Sequence, residues 1–309
     1  VRKAFARTLS QVAAEDPRVL LMTADLGFMV LEEFADRHPA RFFNVGVAEA
    51  NMIGLATGLA ACGFVPFVYS IATFASMRGY EQIRNGPILH NLPVRITGVG
   101  GGFEYGHGGF THHALEDLAI ARTQVGLTVI APADHEQAAE AIRATYDIDG
   151  PVYYRMGKRD DYALPGLNGR FRLGRVETVR DGSDVLLVSI GSISSEVVDA
   201  ADLLARQGIQ ATIAIVSALS PAPVDDLANL LSAFDLALTV EEHYVTGGLG
   251  SLVSEVAAEN SIGLRVVRCG VTSAPATWCG GEAYLRRANG LDAAGIADRT
   301  LRALREAGR

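Results

Sequence analysis

Cysteine is scarce in this chain of 309 residues: there are three, Cys62, Cys269 and Cys279, and they lie far apart. They are too few for a disulfide framework and too scattered for a zinc site. They read as buried or free thiols of a reducing, cytoplasmic compartment. Basic residues are outnumbered: 27 Lys and Arg stand against 35 Asp and Glu, a formal charge of −8. The one basic cluster, residues 155–159, is short and interrupted by Met156 and Gly157. No nucleic-acid surface is expected from such a balance. The sequence opens on a charged, helix-like segment with no apolar signal core. One run, residues 51–77, lacks charge entirely and is long enough to cross a bilayer. Gly54, Gly58, Gly63 and Pro66 interrupt it. A buried helix followed by a buried parallel strand gives the same composition, so no membrane span is expected.

What is present is apolar and regularly arranged. Apolar residues make up 49% of the chain, enough to bury a core in each of two domains. Helical patterns over residues 2–16, 29–36, 49–62, 74–85 and 115–125 alternate with strand-like runs at 19–23, 42–45, 65–69, 94–99, 128–131 and 152–155. A further helix starts at Asp134. Strands separated by helices imply a parallel sheet with both faces covered. From 156 to 183 the alternation fails, and Gly, Pro, Asn and charge dominate with short strand-like pieces. A second series follows, with strands at 185–190, 210–216, 236–240 and 264–268 and helices at 194–206, 224–231, to about 259, and 293–306. The expectation is an α/β chain of two open, mostly parallel sheets, with domains 1–157 and 184–309 joined by a linker at 158–183.

In open sheets of this kind, function gathers at the carboxyl ends of the strands, and three loops there stand out. The first is residues 44–51, where Glu49 sits at the start of an apolar helix. A carboxylate there complements the helix dipole, and one held in an apolar site can also act as an acid. The second is residues 73–82, with Phe74, Met77 and Tyr80 at helical spacing. That stripe suits a core as readily as a ligand pocket. The third is residues 98–113, which carry Gly98, Gly100, Gly101, Gly102, Gly106, Gly108 and Gly109 together with His107, His112 and His113. A long glycine-rich loop inside a compact domain is usually functional. Its spacing does not match a dinucleotide fingerprint, and no acidic or Cys pattern accompanies the histidines to suggest metal binding.

These segments occur in the order found in the second half of transketolase, which the chain resembles over essentially its whole length. Deoxyxylulose-phosphate synthase is similar over the same region. The first half resembles the pyrimidine-binding domain of that family, and residues after Ser183 resemble its C-terminal domain. Residues 45–49 resemble the cofactor-activating glutamate motif. Thr73, Phe74 and Tyr80 match the aromatic pocket. Gly109-Phe110-Thr111-His112 resembles the segment that meets substrate. Gly150-Pro151 through Tyr154-Arg155 resembles the strand with a phosphate-contacting arginine. The resemblance implies thiamine diphosphate with Mg²⁺, the cofactor carrying the chemistry while the protein positions it. It implies that Glu49 hydrogen-bonds a ring nitrogen of the aminopyrimidine and so activates the cofactor. Phe74 and Tyr80 would flank the ring. Met77 stands where a second aromatic is common, and a thioether can substitute. Asp25, in an Ala-Asp-Leu motif, would lie near the cofactor or cap a helix start. His112 would contact the substrate carbonyl or hydroxyl. Arg155 would bind a substrate phosphate or carboxylate, with a surface salt bridge as the plain alternative.

Two departures from the family pattern matter. Where the family has an acidic residue three places before the loop threonine, this chain has Gly108, with His107 beside it, so a specialised substrate is expected and His107 joins the candidates for binding it. The chain also contains no Gly-Asp-Gly motif, the family's holder of the diphosphate and Mg²⁺. Those ligands, hard oxygens by preference, are expected on a separate N-terminal-section subunit, in an α2β2 assembly. In the second half, Gly247-Gly248-Leu249-Gly250 suits either an anion at a helix start or close packing at a subunit interface. The expected function is a transketolase-type enzyme subunit that moves a two-carbon ketol unit from a ketose to an aldehyde. The alternatives are a decarboxylating carboligase, a 2-oxo-acid dehydrogenase β-subunit, or a non-catalytic partner of a thiamine enzyme.

Overall fold

Helix α1 (Arg2–Glu15) buries Phe5, Leu9 and Val12, which recur every three to four residues along one face. The computed structural model describes residues 1–160, 162–273 and 279–308. In the first half, strands β1 (Val19–Thr23), β2 (Phe42–Asn44), β3 (Val65–Ile71), β4 (Arg95–Val99), β5 (Thr128–Ile130) and β6 (Val152–Met156) alternate with α2 (Glu32–Arg37), α3 (Glu49–Ala61), α4 (Tyr80–Ile83), α5 (Asp117–Arg122) and α6 (His135–Thr145). The second half contributes β7 (Val176–Arg180), β8 (Val185–Ser189), β9 (Ala211–Val216), β10 (Ala218–Ser220), β11 (Leu236–Tyr244) and β12 (Arg265–Val271). Its helices are α7 (Ser194–Ala205), α8 (Val224–Leu231), α9 (Leu249–Glu259), α10 (Glu282–Ala288) and α11 (Ala293–Glu306).

Two sheets result, ordered β10-β5-β6-β4-β3-β1-β2 and β12-β11-β8-β9-β7. All pairings are parallel except those of the two edge strands β10 and β7. The mostly parallel α/β expectation therefore holds. Alternation along β8 shows how one strand serves two cores. Leu186 and Val188 join an apolar cluster that runs through both halves, from Met52 and Ile53 of α3 to Leu249 and Val253 of α9. Val185 and Leu187 face α7 and α11 on the other side. The helices α1 and α6 cover the remaining face of the first sheet.

Three features differ from the expectation. The segment 158–183 contains β7, which pairs with β9 and forms the edge of the second sheet. Strand β10, from the second half, crosses over to pair with β5 of the first. The helix expected over 74–85 is a four-residue α4 between two wider π turns, Phe74–Arg78 and Arg84–Ile88. Among the described residues, no helix is long and apolar enough to cross a membrane. The uncharged run 51–77 is instead α3, β3 and the start of the first π turn.

Candidate active site

The carboxyl end of β3 and the first π turn meet the start of α3 at Glu49. A turn at Gly46, whose φ of +72° favours glycine, leads the chain into the helix. Glu49 is its first residue, and its carboxylate is 3% exposed. Ser70, at the end of β3, donates to Oε1 at 3.1 Å. Arg78 donates to Oε2 at 2.9 Å. The π turn that carries Arg78 also presents Phe74, and the guanidinium carbon lies 3.9 Å from the Phe74 ring centroid. His112 also meets Phe74, its ring centroid 5.1 Å away and steeply inclined. Glu49, Arg78, Phe74 and His112 thus form one continuous row.

The glycine-rich loop delivers His112. Gly102 and Ala114 exchange backbone hydrogen bonds and pin the loop's base, and His113 reaches Gly106 O at 3.1 Å from within. Between these anchors two 3-10 turns, Gly106–Gly108 and Phe110–His112, present His107 and His112 outward. A Cβ at position 108 would lie 2.7 Å from the His112 ring. Glycine at that place lets the imidazole lie over the backbone, which accounts for the departure from an acidic residue. Thr111 Oγ1 fixes the ring from His112 Nδ1 at 2.9 Å. Tyr105 lies behind, 6.3 Å from the His112 ring, with Lys158 Nζ 3.9 Å over its own ring. Burial, chiefly, lowers the Lys158 ammonium below the usual lysine range.

The remaining candidates fall in different places. Met77 is 40% exposed beside Phe74. Tyr80 spends its hydroxyl on Ile120 O at 3.1 Å and on Thr123 Oγ1 at 3.1 Å, toward α5. Asp25, with φ of +55°, caps no helix; it pairs with Asn44 through Nδ2 at 2.9 Å and its own amide at 3.1 Å. Arg155, the candidate for a substrate phosphate or carboxylate, is turned inward rather than into a surface salt bridge. It is 6% exposed and donates to Ala114 O and Glu242 O at 2.7 and 2.9 Å, with Asp117 Oδ2 3.3 Å from Nε. Gly101 seals it in, since a Cβ there would collide with the guanidinium. A planar fork in a buried niche satisfies carbonyls from both halves of the chain, so Arg155 braces the two sheets. The glycines after Thr246 likewise serve internal packing. Glu241 accepts from Leu249 N and Gly250 N at 2.8 and 2.9 Å, so the anion at that helix start is the chain's own.

Arg78 and Tyr105 lie in loops that stand out in the sequence and Lys158 in the short basic cluster, but nothing there singles them out, nor Ser70, as individual site residues. Beneath the loop lies a buried ionic cluster. Arg286 pairs with both oxygens of Glu242, at 3.0 and 2.9 Å, and also meets Glu282 and Glu196. Nearby, burial first and then Glu282 and Glu242 push the Glu104 carboxyl up to about 7.

The pyrimidine end of a thiamine cofactor fits these residues. Glu49 offers a buried acceptor with its own positioning donor, Phe74 and Met77 offer an apolar ledge, and Thr73 Oγ1 is buried without a partner at its edge. Among the described residues, no group of three or more His, Cys, Asp and Glu is placed to hold a metal ion.

The fold and this row of residues define the class as a thiamine-diphosphate pyrimidine-binding domain joined to a second α/β domain. Residues 1–161 match the transketolase pyrimidine binding domain and residues 174–296 the transketolase C-terminal domain. The chain belongs to the transketolase family. It is 34% identical over 271 residues to an apulose-4-phosphate transketolase subunit of Phocaeicola vulgatus, covering 86% of each chain. To a 6-deoxy-6-sulfo-D-fructose transketolase subunit of a Clostridium species it is 36% identical, covering 84% of this chain and 81% of that one. A solved "split gene transketolase, inactive beta4 tetramer" superposes with a TM-score of 0.88 at 33% identity, over 98% and 97% of the two chains. The 1-deoxy-D-xylulose-5-phosphate synthase of Syntrophotalea carbinolica is 35% identical, but this chain spans 46% of its length.

Proposed function

We propose that the chain is the C-terminal-section subunit of a split, thiamine-diphosphate-dependent transketolase-like enzyme that moves a two-carbon ketol unit from a ketose to an aldehyde. The observation that carries this reading is the buried Glu49 carboxylate at the start of α3, in one row with Phe74 and His112. The cofactor, when bound, supplies the nucleophilic carbon that takes up and releases the two-carbon unit. Glu49 holds a proton at the pyrimidine ring nitrogen, and Ser70 keeps its carboxyl oriented. Phe74 and Met77 pack the ring and exclude water. His112, fixed by Thr111, meets substrate oxygen, with His107 on the neighbouring turn.

The diphosphate and Mg²⁺ are assigned to a partner subunit that carries a Gly-Asp-Gly motif, in an α2β2 assembly. An exposed ledge beside Glu49 supports that pairing. Val47 is 70% and Leu55 46% exposed, and nothing lies within 4 Å of a Cβ built at Gly54 or Gly58 of α3. The named substrates of two relatives are ketoses with an anionic end, a phosphate and a sulfonate. The Lys158 ammonium and the two loop histidines favour such a tail here as well, in place of the braced Arg155.

The test is Glu49→Gln in the complex of this chain with the N-terminal-section subunit. Transfer from anionic ketoses to an aldehyde should fall by about a hundredfold or more, while cofactor binding by calorimetry persists. Retained transfer would remove Glu49 from the chemistry. A product that forms only from a 2-oxo acid, with loss of carbon dioxide, would favour the decarboxylating alternative.

A further inference from the structure

Arg78 makes two contacts that together describe a binding position. It bonds Glu49 Oε2 at 2.9 Å, and its guanidinium lies 3.9 Å over the Phe74 ring. Those are the two contacts that the aminopyrimidine needs: a flat nitrogenous ring beside Phe74 with one nitrogen at Glu49. A guanidinium is planar, stacks on aromatic faces and carries N–H groups at its edge, so it can satisfy the same two neighbours. Both would call on the same Phe74 ring and the same Glu49 oxygen.

We propose that Arg78 is a resident competitor for the pyrimidine position, and that the cofactor enters by exchange with its guanidinium. The proposal rests on the reading of Glu49 given above. Arg78 is free to leave: its side chain is 47% exposed and sits at the last residue of a π turn, followed by Gly79. After it leaves, Ser70 still donates to Oε1 and holds the carboxyl in place. Until the ring arrives, the ion pair spares a buried carboxylate the cost of standing unpaired. Exchange also clears Glu49 for its work. Oε2 accepts from Arg78, whereas a carboxyl serving the pyrimidine has to share a proton with a ring nitrogen, and both partners cannot occupy the same lone-pair direction. Arg78 is therefore a positioning residue that sets how readily the cofactor loads.

The expected size follows from the population of the closed pair. A guanidinium in place nine-tenths of the time lowers the apparent affinity for the cofactor about tenfold. Calorimetry of thiamine diphosphate with Mg²⁺ on the two-subunit complex should show about tenfold tighter binding for Arg78→Ala than for the unaltered chain. Arg78→Lys, which keeps the charge but cannot stack as a plane, should fall between them. Should Arg78→Ala fail to assemble, Arg78→Gln gives the same comparison with a neutral donor left near Glu49. In the chain alone, the Arg78 side-chain ¹⁵N–¹H signals should be protected from exchange, and Glu49→Gln should remove that protection. Equal affinity across the series, or weaker binding by Arg78→Ala, overturns the exchange and leaves the functional reading standing; weaker binding would make Arg78 a direct cofactor ligand. If the Arg78 signals are protected but no complex binds cofactor, the functional reading fails and the exchange with it.

Discussion

Two buried charges at the carboxyl edge of the first sheet have opposite fates. Glu49 keeps one oxygen toward Ser70 and the other toward an exposed arginine, so it stays open to a ligand. Arg155 is closed in by Gly101 and spends its donors on carbonyls of both halves. The motif in the sequence marks both positions equally, because it records residue type and order, whereas the direction of the guanidinium depends on Glu242, 87 residues further on. The consequence is measurable. Arg155→Gln should lower stability by about 3 kcal/mol or more, since Asp117 is then left buried without its cation. The KM for an anionic ketose should move little. A large rise in KM at unchanged stability would restore Arg155 to substrate binding.

At the scale of elements, α3 carries the clearest division between folding and assembly. Gly54 and Gly58 sit mid-helix with open space where a Cβ would go. Gly54→Ala and Gly58→Ala should each stabilise the isolated chain by about 0.5–1 kcal/mol, measured by urea unfolding. Both should weaken association with the N-terminal-section subunit, measured by sedimentation, because a close helix approach loses its clearance. If association is unchanged, α3 is not the docking face. Most elements were legible in the sequence because hydrophobic period and glycine punctuation fix them locally: α3, β3 and α11 fall where the pattern places them. What escaped has non-local causes. Strand β10 is three residues long and acquires its identity by pairing with β5. The π turns around α4 differ from α-helix by one hydrogen-bond register, which leaves no mark in composition, yet the first of them aims Arg78 at Glu49. Helix α10 is short and polar, and its buried Arg286 reads as a surface residue until Glu242 is seen to face it.

Across the whole molecule, the two sheets meet in an apolar cluster and in the ionic cluster under the glycine-rich loop. That second contact makes stability depend on pH. The Glu104 carboxyl is raised from 4.5 to about 7 by burial, then by Glu282 and Glu242. The folded chain therefore holds a proton that the unfolded chain has released, and stability falls as pH rises through that interval. Glu104→Gln should flatten the fall and raise stability at pH 8 by about 2 kcal/mol, read from urea unfolding at several pH values. An unchanged slope would place the charge of Glu104 elsewhere. The central claim is that this chain holds one end of the cofactor and a partner holds the other. Calorimetry of thiamine diphosphate with Mg²⁺ tests it most directly, run on this chain, on the N-terminal-section subunit and on their complex. Binding by the complex alone is the predicted result; tight binding by this chain alone, or none by the complex, would contradict it.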